Sequence, residues 1–354
     1  MGVSSSRAVT SVAATVSSWR NRLELWVTTA WYGRGPGLLW CLLPLNLLFR
    51  ALVAMRRWRY RHWPAKEHPL PVVIVGGITV GGTGKTPVLL ALYRALSMRG
   101  LSVGVVSRGY GSTVSDSPTV VDATARATDV GDEPLLLARA GCTVVVCQQR
   151  AQAVAYLAQH TNVQVVLSDD GLQHYRMARD FEIAVLDNLR RVGNGWMLPM
   201  GPLREPATRL DEVDWLLLRN GDEPDTGFRY RPCGFFHYGS ARELAIDDVL
   251  ANWSDKRVLA ATGLGQPEQF FEVLEMLGLS LQRYRVPDHA PLDTTALAHY
   301  DADVIVVTEK DAVKVALARD SGLAQRLWIL RIEALLPDGV VNAILHRLNT
   351  GATA

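Results

Sequence analysis

Acidic residues are nearly missing from the start of this chain. Residues 1–66 hold ten Lys or Arg against one acid, Glu24, a local charge of +9 in a 354-residue chain whose net charge is only +2. The remainder therefore carries −7. Cysteine is scarce as well. Cys41, Cys142, Cys147 and Cys233 show neither metal-binding spacing nor a disulfide framework, so they read as buried or incidental thiols in a reducing compartment. No internal repeat is convincing. A cleaved signal peptide fits poorly: the first long apolar run starts late, contains Arg50 and is followed by no small-residue cleavage site. A guanine-reading Asn-Lys-x-Asp motif is also absent, and Thr308-Glu309-Lys310-Asp311 matches it only loosely. That absence argues against a membrane-bound nucleotide switch.

What is present is a basic, Trp-rich end. Charge asymmetry of this kind points to an anionic surface, either nucleic acid or membrane. Six of the ten Trp lie here, at Trp19, Trp26, Trp31, Trp40, Trp58 and Trp63. Trp and Arg around an apolar run favour the membrane interface, so no nucleic-acid partner is expected. Residues 1–18 are small and polar and read as disordered. Ser17–Tyr32 suits an amphipathic helix with Trp19, Leu23, Trp26 and Ala30 along one side. Gly35–Met55 is about as long as a membrane span, although Pro44 and Arg50 interrupt it. Arg56, Arg57, Arg59 and Arg61 follow, placed to face cytoplasmic anionic headgroups. A core helix packed on the following domain is the competing reading.

The rest of the chain is arranged around Pro71–Leu96. Val72–Val75 is a short apolar run that reads as a buried strand, and Leu89, Leu90, Leu92, Tyr93 and Leu96 repeat with helical spacing. Between them lies Thr79-Val80-Gly81-Gly82-Thr83-Gly84-Lys85-Thr86. Strand, glycine-rich loop, Gly-Lys-Thr and helix make a phosphate-binding P-loop. Thr79 stands where the pattern asks for glycine. Backbone N–H groups and the helix N-terminus attract phosphate oxygens, Lys85 suits the β- and γ-phosphates, and the Thr86 hydroxyl suits Mg²⁺. Pro87 falls in the first turn, where no N–H partner is lost.

Strands and helices then alternate, which implies a doubly wound parallel sheet. Leu101–Ser107 reads as a strand ending in Arg108-Gly109-Tyr110-Gly111, either a substrate loop or a plain turn. Residues 112–130 read as loop or a short hairpin. Asp132 and Glu133 precede a helix at Leu135–Ala140, where a capping role is the simplest reading. Val163–Leu167 runs into Asp169-Asp170-Gly171-Leu172-Gln173-His174, and acids at a strand end suit a Mg²⁺ site opposite Thr86. Gly193–Pro206 is an irregular loop carrying Arg204 and Glu205. Residues 221–231 look like a linker, and a smaller α/β domain follows. The expected divisions are 1–66, 67–228 and 229–354. Within the second α/β domain a helix is expected over Ala312–Ala318.

Several blocks together resemble the tetraacyldisaccharide 4′-kinase family, the lipid A 4′-kinases. They are Val80–Pro87, Ser107–Gly111, Gly131–Pro134, Asp169–His174, Gly193–Pro206, Pro287–His289 and Thr308–Lys314. The resemblance implies ATP-dependent, Mg²⁺-dependent transfer of the γ-phosphoryl group to the 4′-hydroxyl of a tetraacylated glucosamine disaccharide 1-phosphate. The product would be the 4′-phosphorylated lipid A precursor, made at the cytoplasmic face of the inner membrane. It also implies a P-loop kinase domain with a smaller α/β domain and a membrane-meeting helix. The family's catalytic Asp–His pair falls on Asp132 and His289, which displaces the capping reading of Asp132. Thr86, Asp169 and Asp170 are the expected metal ligands. Arg108, Tyr110, Arg204 and Glu205 are candidates for substrate contact, and a monomer is expected. The chain departs from the family pattern at Gly77, usually Asn, at Ala290, usually a second His, and in an extension of about 15 residues at its start. A soluble small-molecule kinase is the competing enzyme class, and the apolar N-terminal region argues against it.

Overall fold

The computed structural model describes residues 26–33, 35–82, 84–113, 116–287 and 290–351. The expected helix over Ser17–Tyr32 therefore lies largely outside the described residues, as do Thr83 and His289. The described chain forms two compact units. One holds the residues up to Arg59 with Ile78–Val80 and Leu189–Glu212; the other holds Tyr60–Gly77, Gly81–Asn188 and Val213 onward.

In the first unit a 3₁₀ turn, Gly37–Leu42, leads into the helix Leu43–His62. The combined segment Gly37–His62 is long and apolar enough to cross a membrane, with a mean hydropathy of 1.9, yet only 11% of that window is buried. The competing reading of a packed core helix is therefore overturned. Leu38, Trp40, Leu45, Leu47, Leu48, Leu52, Met55 and Trp58 are exposed, while the one fully buried residue of the helix is polar, Asn46. This inside-out pattern has a local cause. Asn46 Nδ2 donates to the carbonyls of Met197 and Leu198 in the irregular loop. Trp31 Nε1 donates to the Pro199 carbonyl at 3.0 Å, and Arg57 pairs with Glu212. The helix is thus stapled to the Gly193–Pro206 loop by polar bonds.

The second unit is built on one mixed sheet. Its strands are β1 Val72–Gly76, β2 Val103–Ser107, β3 Thr119–Val120, β4 Thr143–Val146, β5 Val165–Asp169, β6 Phe181–Asp187, β7 Trp215–Arg219, β8 Gly227–His237, β9 Glu243–Leu244, β10 Val258–Thr262, β11 Leu281–Arg285, β12 Val304–Thr308 and β13 Leu327–Leu335. The order is β11-β10-β12-β13-β8-β7-β6-β1-β5-β2-β4-β3, with β9 paired to β8. The strands from β7 through β4 run parallel, and β1, β2, β5 and β6 are buried along their whole length. Burial on both faces is why their sequences are unbroken apolar runs rather than alternating ones. The linker expected at 221–231 is corrected: its second half opens β8, which pairs parallel to β7 and antiparallel to β13. The helix expected over Ala312–Ala318 is shifted, since helix forms instead over Glu309–Ala312. Its start is fixed by Thr308, whose side chain caps the Asp311 N–H.

Candidate active site

Register places the carboxyl ends of β1, β5 and β2 side by side: Val75 lies opposite Asp169, and Val106 opposite Ser168. Open α/β sheets bind ligands at such carboxyl edges. β1 leads through the glycine-rich loop into the helix Lys85–Met98, whose N-cap is Gly84 in the left-handed region. Thr79 and Val80 belong to the first unit, where Val80 N–H donates to the Pro202 carbonyl at 2.9 Å and Thr79 bridges to Leu203. Gly81 and Gly82 are exposed, and Lys85 and Thr86 are half-buried.

Two consecutive acids end β5 and point to different partners. Asp169 is buried, and Ser107 Oγ donates to its Oδ2 at 3.1 Å. Its Oδ1 finds no hydrogen-bond partner among the described residues. Burial, reinforced by Glu133 and Asp170, pushes the Asp169 carboxyl up to about 7, against the opposing charges of Arg150 and Lys85. Asp170 adopts φ 46, left-handed for a non-glycine residue, a strain of about 1–3 kcal/mol that functional sites often hold. Its Oδ1 lies 3.5 Å from Lys85 Nζ, and its carbonyl accepts from Arg150 Nη1 at 3.2 Å. Arg150 is itself buried at the start of the helix Arg150–His160.

Asp132 opens the helix Asp132–Arg139 as its first residue, and Gly131, not Asp132, is the N-cap. The capping reading of Asp132 is therefore corrected. Gly131 has φ 96, and a Cβ there would lie 3.1 Å from the Tyr110 carbonyl and 3.3 Å from Gly109. Glycine lets the Arg108-Gly109-Tyr110 loop pack onto the turn before Asp132. Arg108 and Tyr110 keep exposed side chains there. Lys314 Nζ stands 3.2 Å from Asp132 Oδ2, and Lys310 Nζ 3.9 Å from Glu133 Oε1. Two neighbouring acids thus face two lysines four residues apart in the chain.

Arg204 and Glu205 lie in the first unit. Arg204 N–H donates to the Ile78 carbonyl at 2.7 Å, and the buried Glu205 carboxylate is 3.9 Å from Arg209. Spacing alone missed Ser107, Arg150, Lys310 and Lys314. The two lysines sit inside the distinctive Thr308–Lys314 block, so their four-residue spacing was the available signal.

The oxygen set of Thr86, Asp169 and Asp170 fits a hard cation, and the bare buried Oδ1 of Asp169 is what such a cation would satisfy. Among the described residues no group of three or more His, Cys, Asp or Glu side chains forms a metal cage.

Comparison with known proteins agrees with this geometry. The family model for LpxK, tetraacyldisaccharide-1-P 4′-kinase, matches residues 38–349. The tetraacyldisaccharide 4′-kinase of Chromobacterium violaceum is 44% identical over 342 residues, covering 90% of this chain and 97% of that relative. The one from Aeromonas hydrophila is 42% identical, covering 91% and 95%. Among solved structures, LpxK from Aquifex aeolicus in complex with ATP superposes with a TM-score of 0.72 at 25% identity, covering 88% of this chain and 99% of that one. A P-loop kinase fold, an acid-lined carboxyl edge and a family match along most of the sequence make this chain a member of the tetraacyldisaccharide-1-P 4′-kinase family, enzymes that use ATP to phosphorylate the 4′ position of a lipid A precursor.

Proposed function

We propose that ATP lies with its phosphates over Gly81–Thr86 and that Asp132 takes the proton from the 4′-hydroxyl of the acylated disaccharide. The hydroxyl oxygen then bonds to the γ-phosphorus as the bond to the β–γ bridging oxygen breaks, and ADP leaves. The observation that carries this reading is the pairing of two acid–lysine couples in one unit, Asp170 with Lys85 and Asp132 with Lys314. The first supplies the phosphate-facing cation; the second sets a lysine ammonium 3.2 Å from a half-buried carboxylate. His289 is the proposed orienting partner of Asp132, on the strength of the family resemblance. Thr86, Asp169 and Asp170 would hold Mg²⁺, which when bound neutralises charge on the phosphates. General-base help is worth about 10²–10⁴-fold, with positioning and charge neutralisation supplying most of the rest.

The acceptor is an anionic amphiphile, so it is met at a membrane surface. The exposed apolar helix Leu43–His62 and the basic residues at its end support attachment to the cytoplasmic face of the inner membrane. Residues 67–228 would carry the nucleotide chemistry and 229–354 would supply Lys310 and Lys314, the whole acting as a monomer. Arg108, Tyr110, Arg204 and Glu205 are proposed for acceptor contact.

Phosphate transfer to a detergent-dispersed acylated disaccharide 1-phosphate tests the reading. Asp132→Asn is expected to lower kcat by at least about 10²-fold with the fold retained; a near-normal kcat removes Asp132 from the base role.

A further inference from the structure

Lys314 is a buried cation whose bonding is incomplete. Its backbone is firmly placed. Asp311 is held by Thr262, Thr308 and the Gly263 N–H, which anchors the turn after β12, and the Lys314 N–H donates to the Asp311 carbonyl at 3.1 Å. Val313 and Val315 on either side are buried. The Lys314 side chain is only 8% exposed, yet its Nζ makes no hydrogen bond among the described residues. Asp132 Oδ2 lies 3.2 Å away as its ion-pair partner. An ammonium carries three N–H donors. One carboxylate oxygen engages at most one of them, which leaves two to receive another acceptor. A buried donor left unmade costs about 1–3 kcal/mol, more for a charged group, and a native protein keeps that cost for a reason.

The surroundings indicate which acceptor it would meet. Glu133, beside Asp132, reinforces the upward push on the Asp169 carboxyl, so the two acid pairs share one electrostatic environment. A base reaches its hydroxyl at about 2.6–3.2 Å. A group 3.2 Å from Asp132 Oδ2 therefore borders the oxygen that attacks and the phosphorus it attacks. The γ-phosphoryl group presents three oxygens over which charge is spread as it moves. We propose that Lys314 is a catalytic residue: its ammonium bonds an oxygen of the γ-phosphoryl group during transfer, while Asp132 takes the acceptor's proton. The proposal rests on the reading of Asp132 as the base. A base starts as a carboxylate, whose charge offsets the ammonium. The 4′-hydroxyl then gives its proton to Asp132, its oxygen bonds to phosphorus, and the bridging P–O bond breaks with the electron pair leaving on ADP. Asp132 becomes neutral at that moment, and the pull of the Lys314 charge passes to the phosphoryl oxygens. Lys314 keeps its own proton throughout. An attraction that strengthens only in the transition state raises kcat rather than affinity for ATP.

The test uses the full chain, a detergent-dispersed acylated disaccharide 1-phosphate and Lys314→Met, which removes the charge and keeps an unbranched side chain. kcat is expected to fall about tenfold or more, with Kd for Mg-ATP unchanged in calorimetric titration and Lys314→Arg restoring most of the rate. ADP with magnesium and aluminium fluoride imitates the phosphoryl group in transit. Its tighter binding relative to ADP, measured with the acceptor present, should be lost in Lys314→Met. A residue that only orients Asp132 behaves otherwise: added to Asp132→Asn, Lys314→Met would then slow the reaction no further, whereas a phosphoryl contact predicts a further fall of about tenfold. An unchanged kcat, a retained preference for the aluminium fluoride complex, or a double variant no slower than Asp132→Asn overturns the proposal. Lys314→Gln, which keeps a donor without the charge, is read in the same way should Lys314→Met fail to fold. If Asp132→Asn keeps a near-normal kcat, the base reading falls and this proposal with it. If Asp132→Asn is slow and the Lys314 variants are normal, the base reading stands and only the role of Lys314 is lost.

Discussion

Two buried aspartates near strand ends of the same unit have opposite surroundings. Asp311, just past β12, is saturated: Thr262 Oγ1 and Thr308 Oγ1 each donate to its Oδ2 at 2.7 Å, and Gly263 N–H donates to Oδ1 at 3.1 Å. Asp169, ending β5, has one donor, Ser107, and a buried oxygen without a partner among the described residues. A saturated buried carboxylate clamps two segments, the ends of β10 and β12, together. An unsaturated one is a cost to the fold, tolerated where a ligand can use it. The contrast marks Asp311 as a structural acid and makes Asp169 the one proposed to meet a ligand.

The contrast can be broken by substitution. The largest effect on turnover is expected from Lys85→Met at the β5 edge, a loss of about 10³-fold or more with circular dichroism unchanged. A folded variant with substantial turnover would refute the phosphate role. Asp169→Asn should lower kcat by about 10²-fold or more yet raise Tm in the absence of nucleotide. Its sign with pH is fixed. An acid raised from 3.8 to about 7 binds more protons folded than unfolded. The native carboxyl therefore costs nothing below about pH 4, and its penalty grows until about pH 7. The Tm gap between Asp169→Asn and the unmodified chain should widen over that window and then level off, and a flat gap would contradict the assignment. Lys314→Met removes the cation 3.2 Å from Asp132. kcat should fall by about tenfold or more, with Lys314→Arg restoring most of it. The smallest effect on turnover is expected from Asp311→Asn, which should cost about 2 kcal/mol of stability while kcat per folded molecule changes little. If Asp311→Asn instead abolishes turnover in a folded protein, the two acids are not of different kinds.

Much of the fold was legible because local rules agree with tertiary ones. The run Val72–Val75, its glycines and the helical spacing after Lys85 gave the strand–loop–helix unit almost to the residue. β5 was placed from an apolar run ending in Asp169-Asp170. The failures share a cause. Residues 221–231 look like a linker because they are charged and turn-rich, yet β8 forms there because β7 and β13 offer it hydrogen-bonding edges. The helix near Ala312 was misplaced because its start is set by a Thr308 cap that apolar spacing does not register. Asp132 read as a cap from its position, whereas Gly131 takes that place because the Gly109–Tyr110 backbone packs against it.

Sequence alone determined the phosphate-binding loop, the acids at the end of β5, the doubly wound alternation and the basic, Trp-rich beginning. Each is written in residues adjacent along the chain, where spacing and side-chain chemistry suffice. Only the tertiary structure decided that Asn46 faces inward while leucines face outward, that Lys314 meets Asp132, and that Tyr230 reaches the Gly84 carbonyl. Those pairings join residues separated by roughly 150 to 180 positions, and only tertiary packing brings them within bonding distance.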